Sequence, residues 1–206
     1  LRDYYEKWYR PDNQAIIVVG DIDPDYIEKK IKEIFSPIKM PANAAERIYY
    51  TVEDTPGTIY AIDKDKEMNA GVAEIMFKSE PFIPREIRGT QYYYQIDYVL
   101  DMVSRMLNSR LSELAKAPDT DFAQARVSLG DFLFSPTKSA LGLEVVAKGN
   151  DVIPGFKEAY RELLRAARHG FTVGEYERAK AELLSQIEKM YESRMDRDNT
   201  SYCREY

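Results

Sequence analysis

Apolar residues recur along this chain with two different periods, which separate helices from strands. Within residues 87–117 they recur at steps of three and four, the period of one helix face. A second helix is predicted over 152–168 and ends at Gly170, a residue type suited to a helix C-cap. A third begins with Thr172 and Glu175, whose spacing is that of a capping box. The C-terminal half is therefore predicted to be rich in helices.

Short apolar or alternating runs predict strands. Residues 14–20 form an apolar, β-branched run, which is typical of a strand covered on both faces. Residues 72–77 alternate between two faces, as a half-buried strand does. The other predicted strands are residues 48–52, 58–62, 122–134 and 140–147. Because the strands are grouped rather than alternating with helices, the pattern predicts an α+β fold with a largely antiparallel sheet.

The first 43 residues form a separate predicted segment. Residues 1–10 are predicted to be helical up to Pro11, which cannot continue the hydrogen-bond ladder. Asp23 is predicted to be the N-cap of the next helix. Residues 36–46 carry two prolines and three alanines, as a linker would. We therefore predict one domain ending at residue 43 and a second over residues 44–206, which is truncated at its C-terminus.

Composition excludes several classes of protein. The chain has 206 residues and a net charge of -6, and its basic residues are scattered, so a nucleic-acid partner is not expected. It contains no run of about 20 apolar residues, so no membrane span is expected. The single cysteine, Cys203, excludes an internal disulfide. The 16 tyrosines suit either a stacking surface for bases or sugars or packing at the edges of elements.

The candidate chemical motifs are weak. Val18–Asp21 resembles the start of a dinucleotide-binding turn, but only one of the three required glycines is present, at Gly20. His169 is the only histidine, and with Cys203 it cannot complete a usual zinc site. It precedes Gly170, a position where an imidazole interacts favourably with the negative C-terminal end of a helix.

Two carboxylate pairs also fall in predicted turns. They are Asp63 with Asp65 and Asp119 with Asp121. Neither pair has an EF-hand pattern, and solvated turns are the simpler interpretation. We therefore expect no catalytic, cofactor-binding or metal-ligating residue in this chain.

Three blocks in fixed order give the chain a family resemblance. The first is the segment 9–21, YRPDNQAIIVVGD; the second is 107–111, LNSRL; the third is 170–175 with Ala179, Lys180 and Leu183. Together they resemble the pitrilysin/insulinase family of zinc peptidases, whose members include mitochondrial processing peptidase. The resemblance implies an α+β domain with an antiparallel sheet and helices packed on one side.

The resemblance also implies a position in a longer protein. Residues 1–43 would be the last helix–strand–helix of a catalytic-type domain, and the rest would be the non-catalytic second domain. The family's His-x-x-Glu-His zinc motif would precede Leu1, so zinc is expected in the parent and outside this segment. The region 117–123 lacks the Arg and Tyr with which some family halves grip substrate.

Two functions follow from this resemblance. In the first, the segment forms chamber wall and interdomain contacts in a zinc metalloendopeptidase that degrades peptides, and it is inactive alone. Its partners would be the other domains of the parent and the peptide substrate, in a periplasmic or cell-envelope setting. In the second, the parent is a structural or assembly subunit that kept the fold and lost the metal site, as the respiratory core proteins did.

Overall fold

A three-stranded antiparallel sheet organises the middle of the chain in the computed structural model, which describes residues 1–205. The strands are β1 (Val72–Ser79), β2 (Phe122–Asp131) and β3 (Ser139–Ala147), in the spatial order β1-β3-β2. The helices are α1 (Arg2–Trp8), α2 (Pro24–Phe35), α3 (Gln91–Ala115), α4 (Ile153–His169), α5 (Val173–Glu192) and α6 (Asn199–Glu205). Short 3-10 turns cover Pro11–Asn13, Arg85–Ile87, Phe132–Phe134 and Ser193–Met195. The predicted α+β class and antiparallel sheet are confirmed.

The register of the sheet gives it one apolar face and one mixed face. Leu143 of β3 lies opposite Ile75 of β1 on one side and Val127 of β2 on the other. Because side chains alternate along a strand, these three residues share a face. Glu144, the next residue of β3, lies opposite both Glu74 and Arg126 on the other face.

Helices α3 and α4 pack on the apolar face and form the main core with it. The core residues come from both helices and from β2 and β3: Leu107, Leu111, Phe122, Ala125, Val127, Leu143, Val145, Ala159 and Ala166. Gly155 of α4 lies so close to β2 that a Cβ there would be 3.0 Å from the carbonyl oxygen of Asp121. Small residues on α4 therefore let this helix approach the sheet closely.

Contacts divide the chain into two compact units. One unit is Tyr49–Ser185, which contains the sheet with α3 and α4. The other is Leu1–Ile48 together with the described residues from Gln186 onward. In that other unit the buried guanidinium of Arg10 donates to the carbonyl oxygen of Ala45 and pairs with Asp12 at 2.8 Å. The domain boundary at residues 43 and 44 stays a prediction.

Three predicted strands are wrong. Residues 14–19, 48–52 and 58–62 have irregular backbone in the structure, and the side chains of Ile16, Ile17 and Val18 are exposed. A strand is held by a hydrogen-bonded neighbour as well as by its own β-propensity. In the described structure β1, β2 and β3 pair only with one another. The three runs therefore have the composition of strands but no strand to pair with.

Candidate functional site

A group of largely buried charges joins three helices around Arg110. Arg110 lies on α3, and its Nη1 donates to Glu162 Oε1 of α4 at 3.1 Å. Its Nη2 donates to Glu175 Oε2 of α5 at 2.8 Å, and its Nε also donates to the Glu175 carboxylate. Nη2 further donates to the carbonyl oxygen of Gly170 at 3.0 Å. We call this group, Arg110 with Glu162, Gly170 and Glu175, the arginine junction.

Local sequence positions each member of the junction. Gly170 ends α4 with a φ of 69°, a conformation that favours glycine, and this turns the chain toward α5. Thr172 and Glu175 then form the predicted capping box: the Glu175 carboxylate accepts from Thr172 N at 2.7 Å, and Thr172 Oγ1 accepts from Glu175 N at 3.3 Å. The ring of Phe171 packs against the Arg110 guanidinium, and the ring centroid lies 4.8 Å from Arg110 Cζ. The cap of α5 and the ion pair therefore use the same carboxylate.

The electrostatics of the junction keep both partners ionised. Hydrogen bonds from Arg110, together with those from Thr172, lower the pKa of Glu175 to about 2, although burial opposes the shift. Hydrogen bonding to Glu175 raises the pKa of Arg110 in turn, again against burial. A carboxylate with so low a pKa does not take up a proton near neutral pH, so it is poorly suited to act as a general base. The junction braces three helices, and its geometry supports no proton transfer.

A second cluster surrounds Lys138 in the connection between β2 and β3. The buried Lys138 Nζ pairs with Asp54 Oδ2 at 3.0 Å and with Glu80 Oε1 at 2.5 Å. Lys78 Nζ lies 3.6 Å from Asp54 Oδ1 and donates to the carbonyl oxygen of Glu53. Thr137 Oγ1 donates to the carbonyl oxygen of Tyr50 at 3.2 Å. We call segment 50–54 the strap, because side chains of β1 and of the connection between β2 and β3 hold it, without a strand ladder.

The residues that the sequence nominated for chemistry lie in different elements. His169 is the exposed last residue of α4, and Cys203 is a half-buried free thiol on α6. Asp63 and Asp65 cap their own turns, with Asp65 Oδ1 accepting from Glu67 N at 2.8 Å. Asp119 and Asp121 are exposed in the turn before β2.

Residues 1–205 contain no candidate metal cluster and no candidate membrane-spanning helix. No group of three or more His, Cys, Asp or Glu side chains lies close enough together there to hold a metal ion. None of the helices in that range is long and apolar enough to cross a membrane. Of the tyrosines on α3, Tyr92, Tyr94 and Tyr98 are exposed.

Sequence reasoning missed Glu162 and Lys138. The buried positions of α4 are Gly155, Ala159, Glu162 and Ala166, at steps of four, three and four. A carboxylate on an otherwise small and apolar helix stripe is a signal for a buried cationic partner. Lys138 follows Pro136 and Thr137 in a turn and carries no comparable signal in the sequence.

Comparison with known proteins places these features in a family. The family model for the peptidase M16 inactive domain matches residues 1–183. The probable zinc protease PqqL of Escherichia coli is 25% identical over 199 residues, which cover 96% of this chain and 21% of that protein. The chain thus spans about a fifth of the length of this relative.

Solved structures show the same fold. The crystal structure of the periplasmic protease PqqL from Escherichia coli superposes with a TM-score of 0.80 at 21% identity, over 98% of this chain and 22% of that one. A protein described as a predicted insulinase family protease from Yersinia pestis superposes with a TM-score of 0.73 at 15% identity, over 99% and 43%. The chain therefore belongs to the M16, or pitrilysin/insulinase, family of peptidases and corresponds to that family's inactive domain.

Proposed function

We propose that this chain is a non-catalytic segment of a longer zinc peptidase, in which it forms part of the wall of a closed chamber and packs against the other domains. The observation that carries the proposal is the difference between the two faces of the sheet. Helices α3 and α4 bury one face, whereas the other presents the exposed side chains of Glu74, Arg126 and Glu144. A mixed, hydrated sheet face backed by helices suits the inner wall of a water-filled chamber.

The small residues of this mixed face support a role as a wall. Gly142 of β3 lies opposite Ser128 of β2 and Met76 of β1, and a Cβ at Gly142 would be 2.7 Å from Ser128 Oγ. Gly130 of β2 is on the same face and has open space around it. Ser128 covers the buried Gly142, whereas the open space at Gly130 lets an extended peptide backbone approach the sheet closely.

The buried charges support a role without chemistry of its own. Arg110, Glu162 and Glu175 satisfy one another between three helices, and Lys138 satisfies Asp54 and Glu80 at the strap. A catalytic zinc usually takes three protein ligands, and among residues 1–205 no group of three or more His, Cys, Asp or Glu side chains could hold a metal ion. In a parent of this family, zinc bound elsewhere would polarise the scissile carbonyl.

The setting follows from the relatives. PqqL is named a zinc protease, and its crystal structure is described as that of a periplasmic protease. We therefore place the parent of this chain in the periplasm, acting on peptides.

Two measurements test the proposal. First, the purified chain is expected to bind no stoichiometric zinc and to cleave no peptide. The longer protein that carries this chain is expected to bind zinc and to cleave peptides. One tightly bound zinc per isolated chain, found by metal analysis, would overturn the proposal. Activity missing from the longer protein would favour the structural or assembly function instead.

The second measurement tests which face of the sheet meets the peptide substrate. A photo-crosslinking amino acid at Glu144 or Arg126, on the mixed sheet face, is expected to capture a peptide substrate in the longer protein. The matched control is Arg161, which is exposed on α4 behind the sheet. Equal capture from Arg161 and Glu144 would show that the mixed face is not the one that meets substrate.

A further inference from the structure

The connection between β2 and β3 presents two large apolar side chains to solvent. Phe134 is 99% exposed and Leu133 is 63% exposed. Both residues have positive φ, 66° for Phe134 and 45° for Leu133, a region that bulky residues rarely adopt. We call residues 132–135 the hairpin tip. Unusual backbone at exposed apolar residues is a feature of surfaces that meet a partner.

The hairpin tip is held in shape by its own hydrogen bonds. Phe132 N donates to the carbonyl oxygen of Lys138 at 2.9 Å, and Ser135 N donates to the carbonyl oxygen of Phe132 at 2.8 Å. The hydroxyls of Ser135 and Thr137 lie 2.9 Å apart. The backbone that carries the two apolar side chains is thus held in one conformation, which lowers the backbone entropy lost on binding. Such an arrangement fits one pocket of fixed shape better than a varied set of peptides.

The charges around the hairpin tip describe that pocket further. Lys138 pairs with Asp54 and Glu80, but the lysine side chain is 9% exposed while the two carboxylates are 67% and 81% exposed. Asp131, which precedes the tip, is exposed as well. The cation lies beneath and the carboxylates lie outside, so the exposed rim is acidic. A complementary pocket is apolar in its centre and carries Lys or Arg at its rim.

We propose that the hairpin tip inserts into an apolar, basic-rimmed pocket on another domain of the same polypeptide. This rests on the proposed function, in which the chain is one part of a longer protein. The chain spans about a fifth of the relative PqqL, so in a parent of that length most of the polypeptide lies outside it and can supply such a pocket. Docking of a fixed tip into a fixed pocket would set the position of this segment in the closed chamber.

Photo-crosslinking in the longer protein tests the inference. p-Benzoylphenylalanine replaces Phe134 in one variant, Leu133 in a second, and Tyr92 in a control. Tyr92 is an exposed aromatic residue on α3 with ordinary helical backbone, so it matches Phe134 in chemistry but not in the proposed role. Mass spectrometry then identifies the residues joined to each position.

The expected result is a cross-link within one polypeptide from position 134 or 133 to a peptide outside residues 1–206, at a yield independent of protein concentration. Three results overturn the inference: capture of added peptide substrate, a cross-link between two copies that grows with concentration, or a yield no higher than from position 92. Zinc content and peptidase activity of the same samples report on the proposed function separately. A cross-link to another domain in a protein that proves inactive would leave the docking inference standing and remove the proposed function.

Discussion

Arg110 on α3 and Glu175 on α5 are 65 positions apart in sequence and form a two-pronged ion pair in the structure. Both side chains are largely buried, and Glu175 also caps its own helix. The two residues belong to separate sequence blocks of the family resemblance, LNSRL and the segment 170–175. Their contact joins the two blocks in this chain: one carries the guanidinium and the other carries the carboxylate that it binds.

Removing the guanidinium should destabilise the fold strongly. Arg110→Met leaves the largely buried carboxylate of Glu175 without a cation and leaves Glu162 only its 3.4 Å pair with the exposed Arg165. We expect it to lower the free energy of unfolding by about 3 kcal/mol. The control is Arg105→Met on the same helix, because Arg105 makes a more exposed pair with Asp101 at 2.8 Å. That pair should contribute about 0.5 kcal/mol or less. Urea denaturation measures both, and equal losses would contradict the role given to the junction.

The same ion pair predicts an acid dependence of stability. The pKa of Glu175 falls from an ordinary value of 4.5 to about 2 in the folded chain, so the unfolded state binds the proton more readily. The stabilisation is therefore fully present above about pH 4.5 and is lost as the pH falls toward 2; its full size is about 3 kcal/mol. Denaturation of the wild type and Glu175→Gln across this range should show a difference that shrinks with acidification. A difference independent of pH would contradict this assignment.

The sequence predicted helices better than strands, and the reason is physical. Asp23 accepts from Asp25 N at 3.0 Å as the N-cap of α2, and the Thr172–Glu175 capping box forms as predicted, because such signals act within one turn of chain. The runs 14–20 and 48–52 carry strand composition, yet pairing depends on a second segment that composition does not specify.

The sequence also did not show which charged residues pair in the arginine junction and at the strap. The motif with Arg110 and the motif with Glu175 were both recognisable, but one sequence does not show that they meet. Lys138 holds the strap from 84 positions away, and nothing local marks it. What could be predicted was therefore local chemistry and patterning, and what could not was the set of long-range contacts that give the candidate site its geometry.

Replacing glycine by alanine within a helix usually stabilises a protein, but close packing of α4 on the sheet should make this change destabilising at Gly155. A Cβ at Gly155 would lie 3.0 Å from both Asp121 O and the Phe122 Cβ, so we expect Gly155→Ala to destabilise by about 1 kcal/mol or more. Gly174, also in the first turn of its helix, has only the Arg178 side chain nearby, at 3.7 Å. Gly174→Ala should be neutral or stabilising by up to about 1 kcal/mol. Thermal denaturation of both variants checks the opposite signs, and a stabilising Gly155→Ala would refute the close approach.

The strap should depend on Lys138 for its attachment. Lys138→Met keeps the length of the side chain and removes its ion pairs to Asp54 and Glu80, which hold residues 50–54 against the sheet. We expect trypsin to cleave at Lys64 and Lys66 several-fold faster in this variant, because the segment that joins the strap to β1 gains freedom.

The matched control for this change is Lys148→Met, since Lys148 is exposed just after β3 and its Nζ donates to the carbonyl oxygen of Ala117 at 3.4 Å. High salt should also speed cleavage of the wild type, because salt screens the ion pairs of Lys138. It should change the cleavage rate of Lys138→Met little, because that variant lacks these ion pairs. Time courses followed by mass spectrometry distinguish these cases. Cleavage at the same rate in Lys138→Met and Lys148→Met would show that the strap is held by its backbone contacts with Lys78 and Thr137, and that the ion pairs of Lys138 do not hold it.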